Sequence, residues 1–147
     1  MDLILWRHAE AFDPEEGQDD LHRRLTPRGE KHAERMARWL EQQLPEGTRI
    51  LCSPAVRTEQ TVQALKRKYK VRDALAPGAT VQDVLETAGW PDAKYPVLLV
   101  GHQPTLGQTI AQNINLAGKN QWRALAQVFS NLCNGCLVWP RWLLNRR

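Results

Sequence analysis

The chain has 147 residues, enough for one domain over positions 1–147 with a single sizeable core, and its 42% hydrophobic and 24% charged content is that of an ordinary globular protein. No apolar run reaches the roughly 18 residues of a membrane span, and the apolar start, Met1 to Trp6, lacks the basic region and cleavage site of a signal peptide. A cytoplasmic protein is therefore expected. The 20 basic and 16 acidic residues leave a formal charge of +4, scattered along the chain, which fits an anionic substrate better than nucleic acid.

Short apolar runs alternate with segments of helical period. Leu3 to Trp6 reads as a strand. Thr26 and Pro27 offer an N-cap followed by proline at the first helical position, and Ala33, Met36, Ala37, Leu40 and Leu44 follow at helical spacing. Pro45-Glu46-Gly47 stops that helix. Ile50 to Cys52 is a second strand, and Ser53-Pro54 repeats the cap-then-proline signal before a helix with Val62 and Leu65 on one face. Thr80 caps a short helix carrying Val81, Val84, Leu85 and Ala88, which Gly89 closes. Val97 to Val100 is a fully apolar strand, and Leu106, Ile110 and Ile114 mark another helix. Beyond Asn115 the signals weaken to a helical turn near Trp122 to Ala126 and a strand from Cys136 to Trp139. The pattern predicts an α/β fold, a three-layer α/β/α sandwich with a mainly parallel central sheet.

The three cysteines, Cys52, Cys133 and Cys136, make no disulfide framework. Cys133 and Cys136 have CxxC spacing, but Asn134-Gly135 between them is a strong two-residue turn signal, and a four-thiolate zinc site needs a second pair. They read as reduced cysteines flanking a turn.

Chemistry gathers at three strand ends. The first strand runs into Arg7-His8, the second into Ser53-Pro54 with Arg57 in the next helical turn, and the Val97–Val100 strand into Gly101-His102. In open α/β sheets that end of the sheet is where ligands bind. Two arginines there repel each other unless an anion joins them, and a phosphoryl group suits guanidinium forks. Zinc would want a third protein ligand, and no HxxxH or HxH pair is present, so neither metal nor other cofactor is expected.

These residues carry a resemblance to a known family. Arg7-His8, Ser53-Pro54 with Arg57, and Gly101-His102 resemble the histidine phosphatase superfamily, whose fold is phosphoglycerate mutase-like. The stretch from Asp20 to Thr26 with Pro27-Arg28-Gly29 is similar to the SixA-type phosphohistidine phosphatase branch. So are Ser53 to Thr61, Leu75 to Ala79, and Gly101 to Leu106; the likeness spans roughly residues 2 to 114. It implies His8 as nucleophile, with Arg7, Arg57 and His102 as the phosphate pocket and Arg23 as a further contact. Ala9 stands where many members have glycine. The segment after Leu75 lacks the carboxylate that mutases and acid phosphatases use as proton donor, and there is no room for the mutases' long insertion.

The mechanism implied is in-line attack by a neutral His8, a phosphohistidine intermediate and its hydrolysis, with Arg7 and Arg57 disfavouring the imidazolium. Ring-protonated phosphohistidine leaves as neutral imidazole, whose conjugate acid has a pKa near about 6.5, so it needs no positioned acid. The expected substrate is thus phosphohistidine on a protein, such as a histidine phosphocarrier or phosphotransfer domain, with no nucleic-acid or membrane partner. Two alternatives stay open: a phosphomonoesterase acting on a small phosphate ester, and a non-catalytic phospho-binding module.

Overall fold

A computed structural model describes residues 3–114. Four strands, β1 (Leu3–Arg7), β2 (Arg49–Cys52), β3 (Lys70–Val71) and β4 (Val97–Gly101), form one sheet. Every pairing in it is parallel, in the order β1-β4-β2-β3. The helices are α1 (Pro27–Gln43), α2 (Val56–Gln63), α3 (Val81–Ala88) and α4 (Thr105–Ile114), with 3-10 turns at Asp20–His22 and Asp73–Leu75.

The alternation of side chains along each strand builds the layers. Ile4, Trp6, Ile50, Cys52, Leu98 and Val100 point to one face, where they meet Ala37, Leu40 and Leu44 from the α1 segment and Val62 from α2. Leu3, Leu5, Leu51, Val97 and Leu99 point to the other, against Leu75, Val84 and Ala88 and against Leu106 of α4. Helices on both faces of a parallel sheet make the three-layer sandwich expected from the sequence. β4 is buried along its whole length, which is why it reads as an unbroken apolar run. The three strand ends that carry these residues lie together because β4 returns between β1 and β2.

Local signals explain most boundaries. The Thr26 hydroxyl accepts from the Gly29 N–H, with Pro27 opening α1. Thr80 and Asp83 form a reciprocal capping box, and Gly89 closes α3 in the left-handed conformation. The Ser53-Pro54 expectation needs correction: α2 starts at Val56, Ala55 occupies the N-cap, and no side chain caps it. Ser53 is spent elsewhere, as described below. β3 is an addition to the expected elements; its two residues are exposed and the alternation around it is short. The expected turn near Trp122 to Ala126, the strand from Cys136 to Trp139, and Cys133 and Cys136 lie outside the described residues. Among the described residues no helix is long and apolar enough to cross a membrane.

Candidate active site

β1, β4 and β2 end side by side. Arg7 is in register with Gly101, and Cys52 with Val100, so His8, His102 and Ser53 emerge at adjacent strand ends. The His8 N–H donates to the Gly101 carbonyl at 3.1 Å, and the Ser53 N–H to the Val100 carbonyl at 3.1 Å. The backbone at His8 and at Ser53 is therefore held by an extension of the sheet's own ladder.

The His8 ring has a defined tautomer. Its Nδ1 lies 2.7 Å from the Ala9 carbonyl, which can only accept, so Nδ1 carries the proton and Nε2 keeps its lone pair. Burial pushes the His8 pKa down to about 4, with the charges of Arg57, Arg7 and Arg23 adding to it and the Ala9 hydrogen bond opposing. The sequence attributes the neutral ring to arginines alone; burial is the larger cause. Ala9 is itself held, its N–H donating to the Thr61 hydroxyl at 3.0 Å, while that hydroxyl donates to the Arg57 carbonyl at 2.6 Å. Thr61 thereby ties the His8 loop to α2.

His102 faces His8, with ring centroids 5.3 Å apart. A guanidinium can only donate, so Nη2 of Arg57, 3.3 Å away, assigns the acceptor role to His102 Nδ1. Nε2 then carries the proton and donates to Ser53 Oγ at 2.7 Å. Burial first, and then Arg57, lower the His102 pKa to about 3. A ring hydrogen bond from Nδ1 to a phosphoryl oxygen therefore requires protonation there and release of the Arg57 N–H.

Arg57 is 4% exposed. Its Nη2 donates to Asp20 Oδ2 at 2.7 Å, its Nη1 to the Asp20 carbonyl, and its buried Nε has no hydrogen-bond partner. Arg23 reaches the same carboxylate, Nη1 to Asp20 Oδ1 at 2.9 Å, while its Nε donates to the Phe12 carbonyl at 2.8 Å. His8, His102, Arg57, Asp20 and Arg23 thus form one connected cluster, and the charges of Arg57, Arg7 and Arg23 all act on the His8 ring. Asp20, Ser53 and Thr61 all lie in the motifs read from the sequence, which gives them no place in the phosphate pocket. The Asp20–Arg23 pair has a legible three-residue spacing, but Arg57 lies 37 positions away.

The other nucleophiles and acids nearby are engaged. Burial pushes the Cys52 thiol up to about 12, and Ser53 is fully buried against His102. Glu10 accepts from the Thr26 hydroxyl at 2.8 Å, and Asp19 caps the 3-10 turn by accepting from the Leu21 N–H. A small cavity beside His102 is lined by Leu75, Ala76, Ala79, Leu99, Thr105 and Leu106 among others, with no carboxylate. Among the described residues no three His, Cys, Asp or Glu side chains gather in a way that could hold a metal ion.

The family model for the histidine phosphatase superfamily (branch 1) matches residues 3–79, and the chain belongs to that superfamily. Among solved structures it is similar to SixA proteins and, in fold alone, to a mycobacterial glucosyl-3-phosphoglycerate phosphatase, 20% identical with a TM-score of 0.55. A SixA protein from Nakamurella multipartitia is 39% identical with a TM-score of 0.62, over 73% of this chain and 62% of that one. A SixA protein from Agrobacterium tumefaciens is 31% identical with a TM-score of 0.66, over 76% of each chain. The protein histidine phosphatase SixA complexed with tungstate is 28% identical with a TM-score of 0.64, over 74% of each chain. This chain thus spans just under two thirds of the Nakamurella protein.

Proposed function

We propose that this chain is a metal-independent phosphatase that removes the phosphoryl group of phosphohistidine borne by a protein, through a covalent intermediate on His8. The observation that carries the reading is the His8 ring. Its proton is held on Nδ1 by the Ala9 carbonyl, its Nε2 lone pair is available, and it stays neutral beside three guanidinium groups. A neutral imidazole among cations suits attack on an anionic phosphorus centre, because the arginines draw in the anion while disfavouring the protonated nucleophile.

In this reading Nε2 of His8 forms the bond to phosphorus as the bond to the leaving nitrogen breaks, and water then hydrolyses the phosphohistidine on the enzyme. Arg7, Arg23 and Arg57 balance charge on the equatorial oxygens; an arginine in that role elsewhere is worth about 10³–10⁵ in rate, or roughly 4–7 kcal/mol. The Nε of Arg57 has an N–H to spare for such an oxygen. His102 supports Arg57 before the substrate enters and donates from Nδ1 once the bound anion favours its protonation. A leaving imidazole makes little demand for a proton donor, which accords with the lack of a carboxylate in residues 76–79 after Leu75. The solved relative bound to tungstate, a phosphate-like oxyanion, supports an oxyanion site on this fold.

The test is acid-quench trapping with labelled substrate. Acid-labile label should appear on His8, and His8→Ala should abolish both label and turnover. Label on another residue, or turnover surviving in His8→Ala, overturns the mechanism.

A further inference from the structure

We infer that Asp20 selects among phosphoryl compounds, favouring a phosphoramidate whose leaving ring is positively charged over phosphomonoester dianions and free phosphate. This rests on the reading of the site as a phosphohistidine phosphatase. Asp20 stands on the 3-10 turn before Arg23, and its carboxylate is divided between two pocket arginines, Oδ2 to Arg57 at 2.7 Å and Oδ1 to Arg23 at 2.9 Å. The Arg57 Nη2 that it holds is the same nitrogen that lies 3.3 Å from His102. An incoming phosphoryl oxygen must share these N–H groups with a carboxylate already seated on them.

That carboxylate is a fixed negative charge in an otherwise cationic site. Burial works against its ionisation, yet the hydrogen bonds from Arg23 and Arg57 hold its pKa below the ordinary value, so it is no store of protons for a leaving group. Its side chain remains 46% exposed. An ionised carboxylate offers about four acceptor positions, so the two arginine bonds leave others open. A phosphomonoester or free phosphate meets Asp20 as a like charge. Phosphohistidine protonated on its ring brings a cation next to the phosphoryl group, and Asp20 attracts it. Asp20 thereby also weakens the hold on product phosphate.

The test compares Asp20→Asn and Asp20→Glu with the parent protein. The substrates are a histidine peptide phosphorylated with phosphoramidate and p-nitrophenyl phosphate, and inorganic phosphate is the inhibitor. Removing the charge should lower the inhibition constant for phosphate by about fivefold or more, and narrow the preference for the phosphohistidine peptide by about tenfold. Asp20→Glu should restore weak phosphate inhibition. A merely structural Asp20 predicts the opposite: loosened arginines bind phosphate less well, and both substrates suffer equally. Either result overturns the inference. If Asp20→Asn fails to fold, Asp20→Ser serves as the neutral variant. If the parent protein does not cleave the phosphohistidine peptide, the proposed function falls, while the phosphate arm still judges Asp20.

Discussion

Nε2 of His8 and Nδ1 of His102 are both kept unprotonated by burial, with nearby arginines in support. The sign of the consequence is definite. A histidine whose pKa falls on folding binds fewer protons in the native state, so stability is lost as pH drops from about 6.5 through the folded values. With those values near 4 for His8 and near 3 for His102, the loss runs from about pH 6.5 down to about 4 and about 3 respectively, and these two rings add no pH dependence above that window. Ring titration by NMR should place the His8 midpoint well below 6, and inorganic phosphate should raise that of His102. A His8 midpoint near 6.5 would sink the account of a buried neutral nucleophile. Much at this scale was legible: Arg7, His8 and His102 are announced by strands that end on or just before them, and Arg57 by the helix that follows the second strand. The role of Asp20 was not, because its motif shows no partner for it until the fold brings Arg57, 37 positions away, to its carboxylate.

At the scale of elements, the loop after β1 is fastened at two points, to α2 through Thr61 and to the start of α1 through Glu10. The Thr26 N–H donates to the Glu10 carbonyl at 3.0 Å, and the Thr26 hydroxyl to the Glu10 carboxylate at 2.8 Å. Gly29 makes this approach possible, since a Cβ there would lie 2.0 Å from the Glu10 carbonyl oxygen. Backbone cannot yield as a flexible side-chain end can. Gly29→Ala should therefore cost about 1–3 kcal/mol or more in denaturant unfolding, and should lower kcat/KM because the shift passes along the loop to His8. Unchanged stability and activity would mean that α1 and the loop are less tightly coupled than the geometry requires. The sequence foretold α1 and α3 well because their caps and stops are local chemistry. It misplaced the start of α2 because Ser53, a good N-cap residue by type, has its hydroxyl committed to His102 and also accepts from the Ala55 N–H. β3 had only a short local signal, the alternation Lys68-Tyr69-Lys70-Val71-Arg72, and pairs with β2 over two residues.

At the scale of the whole molecule, the order β1-β4-β2-β3 places the ends of three strands at one crevice, between helices on opposite faces. Three arginines, two neutral histidines and one carboxylate converge there, and each acid near them has another task. Glu10 fastens the loop, Asp19 caps a turn and Asp20 is held ionised by two guanidinium groups. Residues 76–79, which follow Leu75, carry no carboxylate. Such a site is strong in stabilising charge on phosphorus and poor in supplying a proton to a departing oxygen. The rate should therefore depend steeply on how readily the leaving group departs unaided. Across a series from alkyl to nitrophenyl phosphates, log kcat/KM should rise steadily as the conjugate acid of the leaving group grows stronger. A phosphohistidine peptide should stand at the fast end. Efficient cleavage of alkyl phosphates with a flat dependence would require a proton donor at the pocket, and the substrate would then be a phosphate ester in place of phosphohistidine.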